Sequence, residues 1–144
     1  MATQIFINLP VKDLNRSVNF FTRLGYTFNP QFTNEDATMM IIDENLYVML
    51  LVEKFFRTFT RKAIADTATT TEVILCLSAE SRAKVDELVD KALAAGAAPS
   101  NETQDQGFMY GRSFQDLDGH LWEVAYMDTS AIGQDPKRAE MASH

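Results

Sequence analysis

Apolar residues recur along the chain first with the two-residue period of strands and then with the spacing of a helix, and this order occurs twice. Ile5 to Val11 is apolar with Asn8 in its middle and Pro10 near its end, the pattern of a strand that lies at a sheet edge or exits at the proline. Asp13 is placed to cap the helix that follows, and Leu14, Val18, Phe21 and Leu24 fall at helical spacing. Gly25 supplies a left-handed stop. Three short strand candidates come next: Tyr26 to Phe32, broken by Pro30; Ala37 to Ile42; and, after the turn Asp43-Glu44-Asn45, Leu46 to Val52. Glu53 to Thr60 mixes aromatic and charged residues and reads as a short helix or a lid-like loop. Ala65 to Thr71 is small, Thr-rich and without a period, which marks a linker.

The second pass begins with a strand at Val73 to Leu77. Ser78 is the expected N-cap, and Val85, Leu88, Val89 and Ala92 give an amphipathic helix that Gly96 ends. Ala97 to Thr103 is a strand interrupted by Pro99, and Gln104 to Gly107 is a polar loop. Phe108 to Gln115 and His120 to Tyr126 form a hairpin around Asp116-Leu117-Asp118-Gly119, since Asp-Gly is a strong turn signal. From Thr129 to His144 the chain is polar and aperiodic, a frayed tail. The helix-stop glycines at 25 and 96 set a repeat of about half the chain, which is a duplicated module rather than a solenoid unit. The expectation is an α+β fold of two βαβββ modules, about 4–62 and 70–128, in one domain over 1–128, with a flexible tail over 129–144. Each helix would cover one face of its strands. The other faces would form a curved mixed sheet around a concave cavity, the usual place for a small-molecule site.

Composition narrows the partners. The 144 residues are enough for a core without disulfides or a structural metal. The net charge of -7 repels phosphate backbones, and no basic stripe with interleaved aromatics offsets it, so nucleic acid is not an expected partner. The single cysteine, Cys76, has no internal disulfide partner; inside an apolar run it reads as a buried thiol. Met1-Ala2-Thr3-Gln4 is not the start of a secretory signal. No apolar run approaches the roughly 20 residues that span a bilayer. A cytoplasmic protein without a membrane partner is the expectation.

Leu9-Pro10-Val11-Lys12-Asp13-Leu14-Asn15-Arg16-Ser17-Val18-Asn19-Phe20-Phe21 resembles the opening of many proteins of the vicinal oxygen chelate (glyoxalase I/bleomycin-resistance/extradiol dioxygenase) superfamily: a strand, then Val-x-Asp-Leu-x-x-Ser and an aromatic pair. Phe114-Gln115-Asp116-Leu117-Asp118-Gly119-His120-Leu121-Trp122-Glu123-Val124 resembles their closing hairpin, where Phe-x-Asp-Pro-Asp-Gly-Asn-x-x-Glu is usual. Leu117 stands where proline is common and His120 where asparagine is common. The resemblance covers about residues 4–127. It implies metal-ligand positions on the first and last strand of each module, at Phe6, Val48, Glu72 and Glu123. Phe6 and Val48 cannot bind a metal. Glu72 and Glu123 alone are a thin ligand set for Zn²⁺, Ni²⁺, Fe²⁺ or Mn²⁺, which usually take three or four protein ligands including imidazole.

Each candidate has more than one reading. Strand parity puts Glu123 opposite Trp122; if Trp122 packs toward the helices, Glu123 faces the cavity as a proton acceptor, as the partner of a cationic ligand, or as a solvated strand residue. Glu72 opens its strand, as a ligand or as an exposed carboxylate; close together, the two glutamates would repel unless a cation lay between them. Asn8 shares a face with Phe6 and bonds either a ligand or local backbone. His120 reads as a turn or surface residue. Tyr110 and Arg112 lie on a strand near the mouth, with Arg112 either clamping a ligand anion or simply at the surface. Met39, Met40 and Met49 read as core gap-fillers. The expected function is a glyoxalase-like small-molecule-binding protein without the full metal site, its cavity lined by Phe6, Asn8, Val48, Glu72 and Glu123. The alternative is a divalent-metal-dependent lyase or isomerase acting on vicinal oxygens, with Glu123 as ligand or catalytic base and Glu72 as ligand. The resemblance further implies a homodimer.

Overall fold

The structure, a computed structural model, describes residues 2–128 and Ser130. The rest of the tail expected over 129–144, His144 included, lies outside the described residues. The chain divides into two compact units: one runs to Glu72 and includes Leu117–Gly119, and the other runs from Val73 to Asp116 and resumes at His120. The α+β class and the two βαβββ modules stand, with the strands divided between two mixed sheets instead of one curved sheet.

In the first unit, β1 (Ile5–Val11) runs parallel to β4 (Leu46–Val52), which pairs antiparallel with β3 (Ala37–Asp43) and, beyond it, β2 (Thr27–Asn29), in the order β1-β4-β3-β2. Pro10 is tolerated because β1 is an edge strand and loses no ladder bond there. Pro30 stops β2 by starting a single 3₁₀ turn, Pro30–Phe32. Helix α1 (Leu14–Leu24) is capped by Asp13, whose side chain accepts from the Arg16 N–H at 3.1 Å. It ends at Gly25, whose φ of 107° favours glycine. Its buried stripe is Leu14, Ser17, Phe20, Phe21 and Leu24, so the face is centred nearer Ser17 and Phe20 than the expected Val18, which is half-buried. Leu9, Val11, Met40, Val48 and Leu50 are buried on one face of the sheet. The segment left open between helix and loop is a short helix, α2 (Glu53–Phe56), followed by one 3₁₀ turn, Arg57–Phe59.

In the second unit, β5 (Ile74–Ser78) runs parallel to β9 (Leu121–Met127), which pairs antiparallel with β8 (Met109–Gln115). Two short strands, β6 (Ala98–Pro99) and β7 (Gln104–Asp105), both pair with β8. The strand expected over Ala97 to Thr103 thus shrinks to two residues, and part of the expected polar loop becomes β7. Asp105 of β7 is held from the helix side: Arg82 grips its carboxylate at 2.8 and 2.7 Å and lies 4.9 Å over the Tyr110 ring. Helix α3 (Arg82–Ala94) starts from Ser81, which accepts from the Lys84 N–H, while Ser78, the expected cap, is the last residue of β5. Val85, Val89 and Ala92 are its buried stripe, and the helix packs on β8 and β9. Among the described residues no helix is long and apolar enough to cross a membrane.

The core of this unit is keyed by Asp116 at the end of β8. Its buried carboxylate accepts from the His120 backbone N–H at 3.0 Å and from the Trp122 indole N–H at 2.9 Å. Trp122 is 1% exposed and stacks on Phe114, with the ring planes 5° apart. One carboxylate therefore fixes both the turn and the largest core side chain. Trp122→Phe keeps a flat apolar ring but removes a donor from a buried carboxylate. It is expected to lower the unfolding free energy by about 1–3 kcal/mol, the usual cost of a lost buried partner, as measured by urea denaturation. A loss within about 0.5 kcal/mol, typical of surface changes, contradicts this role.

Candidate functional site

Each sheet has one face covered by its long helix, and on the other face a pocket opens. Strand parity decides what each pocket contains. In the first unit Phe6 pairs with Tyr47 and Asn8 with Met49, so these four share a face, while Ile7 and Val48 share the opposite one. The pocket, of about 540 Å³, is walled by Phe6, Tyr47, Met39, Met49 and Phe32, with Asn29 at its side. Phe6 and Phe32 remain 45% and 53% exposed, and the rings of Phe6 and Tyr47 lie 5.1 Å apart and 19° from parallel.

Several expected residues change place here. Phe6 does line a pocket. Val48 does not: it is 2% exposed on the helix side, and Tyr47 and Met49 take the open face instead. Met39 and Met49, expected as core filler, both line the pocket, although Met39 at 5% exposure is also a core residue; Met40 is fully buried on the other face. Asn8 lies on the open face, and its side-chain amide donates to the Phe6 carbonyl at 3.3 Å, the local-backbone alternative.

In the second unit Glu123 pairs with Ser113 on one side and Cys76 on the other. With Trp122 buried toward α3, Glu123 faces the open side. It lines a pocket of about 380 Å³ with Ser113, Ala125, Met109 and, from the β6–β7 connection, Asn101 and Glu102. Cys76 is exposed on this face and not buried as expected, because Leu75 takes the helix side of β5. Partial burial, and secondarily the charge of Glu123, push its thiol pKa up. His120, expected as a turn or surface residue, does close the Asp116 turn but is 2% exposed and not at the surface. Arg112 does line this pocket, but its guanidinium is engaged by Asp86 and Asp90 of α3 at 3.0 and 2.9 Å. The Tyr110 hydroxyl, followed by Arg112, holds the Asp86 carboxyl below its ordinary range.

Glu72 is exposed just ahead of β5 and belongs to the first unit, whereas Glu123 belongs to the second. The donor set does not fit the metal that the resemblance implies. Phe6 and Val48 offer no donor atom, and among the described residues no carboxylate, imidazole or thiolate lines the first pocket. Among the described residues no three His, Cys, Asp or Glu side chains are grouped to hold an ion.

A family model described as bleomycin resistance protein-like N-terminal matches residues 3–42. Among solved structures, hypothetical protein SA1046 from S. aureus superposes with a TM-score of 0.74 at 28% identity, over 88% of this chain and 94% of that one. A glyoxalase/bleomycin resistance protein/dioxygenase family enzyme from Burkholderia phytofirmans PsJN also reaches 0.74, at 13% identity, over 88% and 99%. The chain has the vicinal oxygen chelate fold. Lactoylglutathione lyase from Agrobacterium tumefaciens shares that fold at 15% identity and a TM-score of 0.63, over 90% of this chain and 96% of that one. No curated protein matches. Within this fold the closing strand carries a carboxylate, Glu123, and the opening strand an aromatic ring, Phe6.

The Cys76–Glu123 pairing is directly testable because the chain has one thiol. Glu123→Gln removes a negative charge beside Cys76, lowers the thiol pKa and raises the thiolate fraction at fixed pH, and the thiolate is the reactive form. Iodoacetamide is therefore expected to alkylate Cys76 faster in Glu123→Gln than in the unaltered chain. An unchanged rate contradicts the placement of Glu123 beside Cys76.

Proposed function

We propose that this protein binds a small organic molecule without a metal ion, in the manner of a bleomycin-resistance-type binder. The observation that carries the reading is Phe6. It occupies the place on the opening strand where the resemblance implies a metal ligand, and there it walls an aromatic and methionine-lined pocket with Tyr47. A pocket of about 540 Å³ falls within the usual range for small-molecule sites, and burial of apolar ligand surface supplies its driving force. The reading includes the homodimer that the resemblance implies.

Glu123 favours a second reading, a glyoxalase-like lyase or isomerase. A carboxylate in a pocket is a candidate general base for abstracting a proton beside a carbonyl. A divalent ion completing that chemistry would need further donors that the residues around Glu123 do not supply.

Metal analysis together with calorimetry separates the two. Protein purified without chelator is expected to carry substoichiometric Zn, Ni, Fe and Mn, and ligand affinities are expected to be the same with and without EDTA. A stoichiometric metal lost in both Glu72→Ala and Glu123→Ala, with ligand binding abolished by EDTA, overturns the metal-free reading in favour of the lyase.

A further inference from the structure

The geometry points to an uncharged, planar, fused-ring aromatic molecule as the ligand class of the Phe6–Tyr47 pocket. This rests on the metal-free binding reading of the same pocket and names what it takes. Two observations on the first unit lead there.

The first is shape. The rings of Phe6 and Tyr47 lie nearly parallel on neighbouring strands and form one flat platform on the sheet face. Met39 and Met49, cross-strand partners of each other, put two thioethers beside it, and Phe32 adds an exposed ring from the turn after β2. A flat aromatic ligand gains offset stacking on the rings and sulfur contacts at its edges; a saturated one of the same size gains only area.

The second is charge. Among the described residues no charged side chain lines this pocket. An ionised ligand would be stripped of water there without a counter-charge. The net charge of -7 adds a penalty for anions. The second unit's pocket, with Glu102 and Glu123, has the opposite character and makes no comparable platform.

Naphthalene carboxamide, naphthalene carboxylate and decalin carboxamide differ in these features one at a time and are the probes. Binding is followed by calorimetry in the presence of EDTA and by NMR of isotope-labelled methionine methyls in the full chain. Naphthalene carboxamide is expected to bind about tenfold more tightly than either other probe, the size of one good ring contact. It is expected to shift the Met39 and Met49 methyls by ring current and to leave that of Met40, on the other face, in place. Phe6→Ala, at an exposed position where folding is tolerant, and independently Phe32→Ala, are each expected to weaken it several-fold. Equal affinity for the three probes, or shifts confined to other methyls, overturns the ligand class. Met39 and Met49 shifts that depend on protein concentration alone, with no probe effect, show a second copy covering the face and overturn it too. If the carboxylate or the decalin binds best at Met39 and Met49, the ligand class fails while the metal-free reading survives. If nothing binds until EDTA is replaced by a divalent metal, both fail.

Discussion

A strand turns alternate side chains to opposite faces of its sheet, and each sheet here has one long helix to cover one of those faces. Everything chemical in this chain is sorted by that division. In the second unit, Asp116 sets the sorting: by holding the indole of Trp122 and the backbone of the turn, it commits Trp122 to the helix side. The next residue, Glu123, is thereby presented on the open side with Cys76 and Ser113. In the first unit the same alternation puts Leu9, Val48 and Leu50 in the core and leaves Phe6, Tyr47 and Met49 facing outward. A one-residue slip in either ladder would exchange core for site.

The elements set by local chemistry were legible in the sequence. Asp13 and Gly25 bracket α1 as their side chain and backbone freedom require, and Asp118-Gly119 makes the β8–β9 turn, where Gly119 has a φ of 85°. A Cβ at Gly119 would meet the Thr67 carbonyl oxygen at 2.8 Å, a steric constraint that only the structure shows. What was not legible depends on partners far along the chain. Val48 and Tyr47 are both plausible inward residues until pairing with Phe6 fixes the register. Cys76 sits in an apolar run, yet that run is a strand with one open face. Polarity placed His120 in a turn or at the surface; it closes the turn, with its backbone N–H on Asp116, yet it is buried. Strand β7 includes Asp105, whose carboxylate is gripped by Arg82 on a helix more than twenty residues earlier.

The two open faces differ in chemistry. Among the described residues, one is lined by aromatic and methionine side chains and by no charged one; the other carries Glu102 and Glu123. A hard or borderline cation is held by clustered oxygen, nitrogen or thiolate donors, whereas a ring platform holds a ligand by dispersion and by loss of water. Under the proposed reading, Phe6 in place of a donor suits the first face to the second kind of recognition. The fold is held by caps, turn and core, and of the four positions where the resemblance implies a metal ligand only Val48 belongs to that core. A fold can persist in this way while the chemistry of its sites changes.

The central claim, recognition without a metal centre, is tested most directly by titrating isotope-labelled protein with Mn²⁺ and recording which backbone amides broaden. Paramagnetic broadening falls off steeply with distance, so it locates an ion without any assumption about substrate. The account predicts weak broadening spread over exposed carboxylates, with the amides of Phe6, Tyr47 and Glu123 no more affected than the rest. Selective loss of those amides at a stoichiometric amount of metal contradicts it.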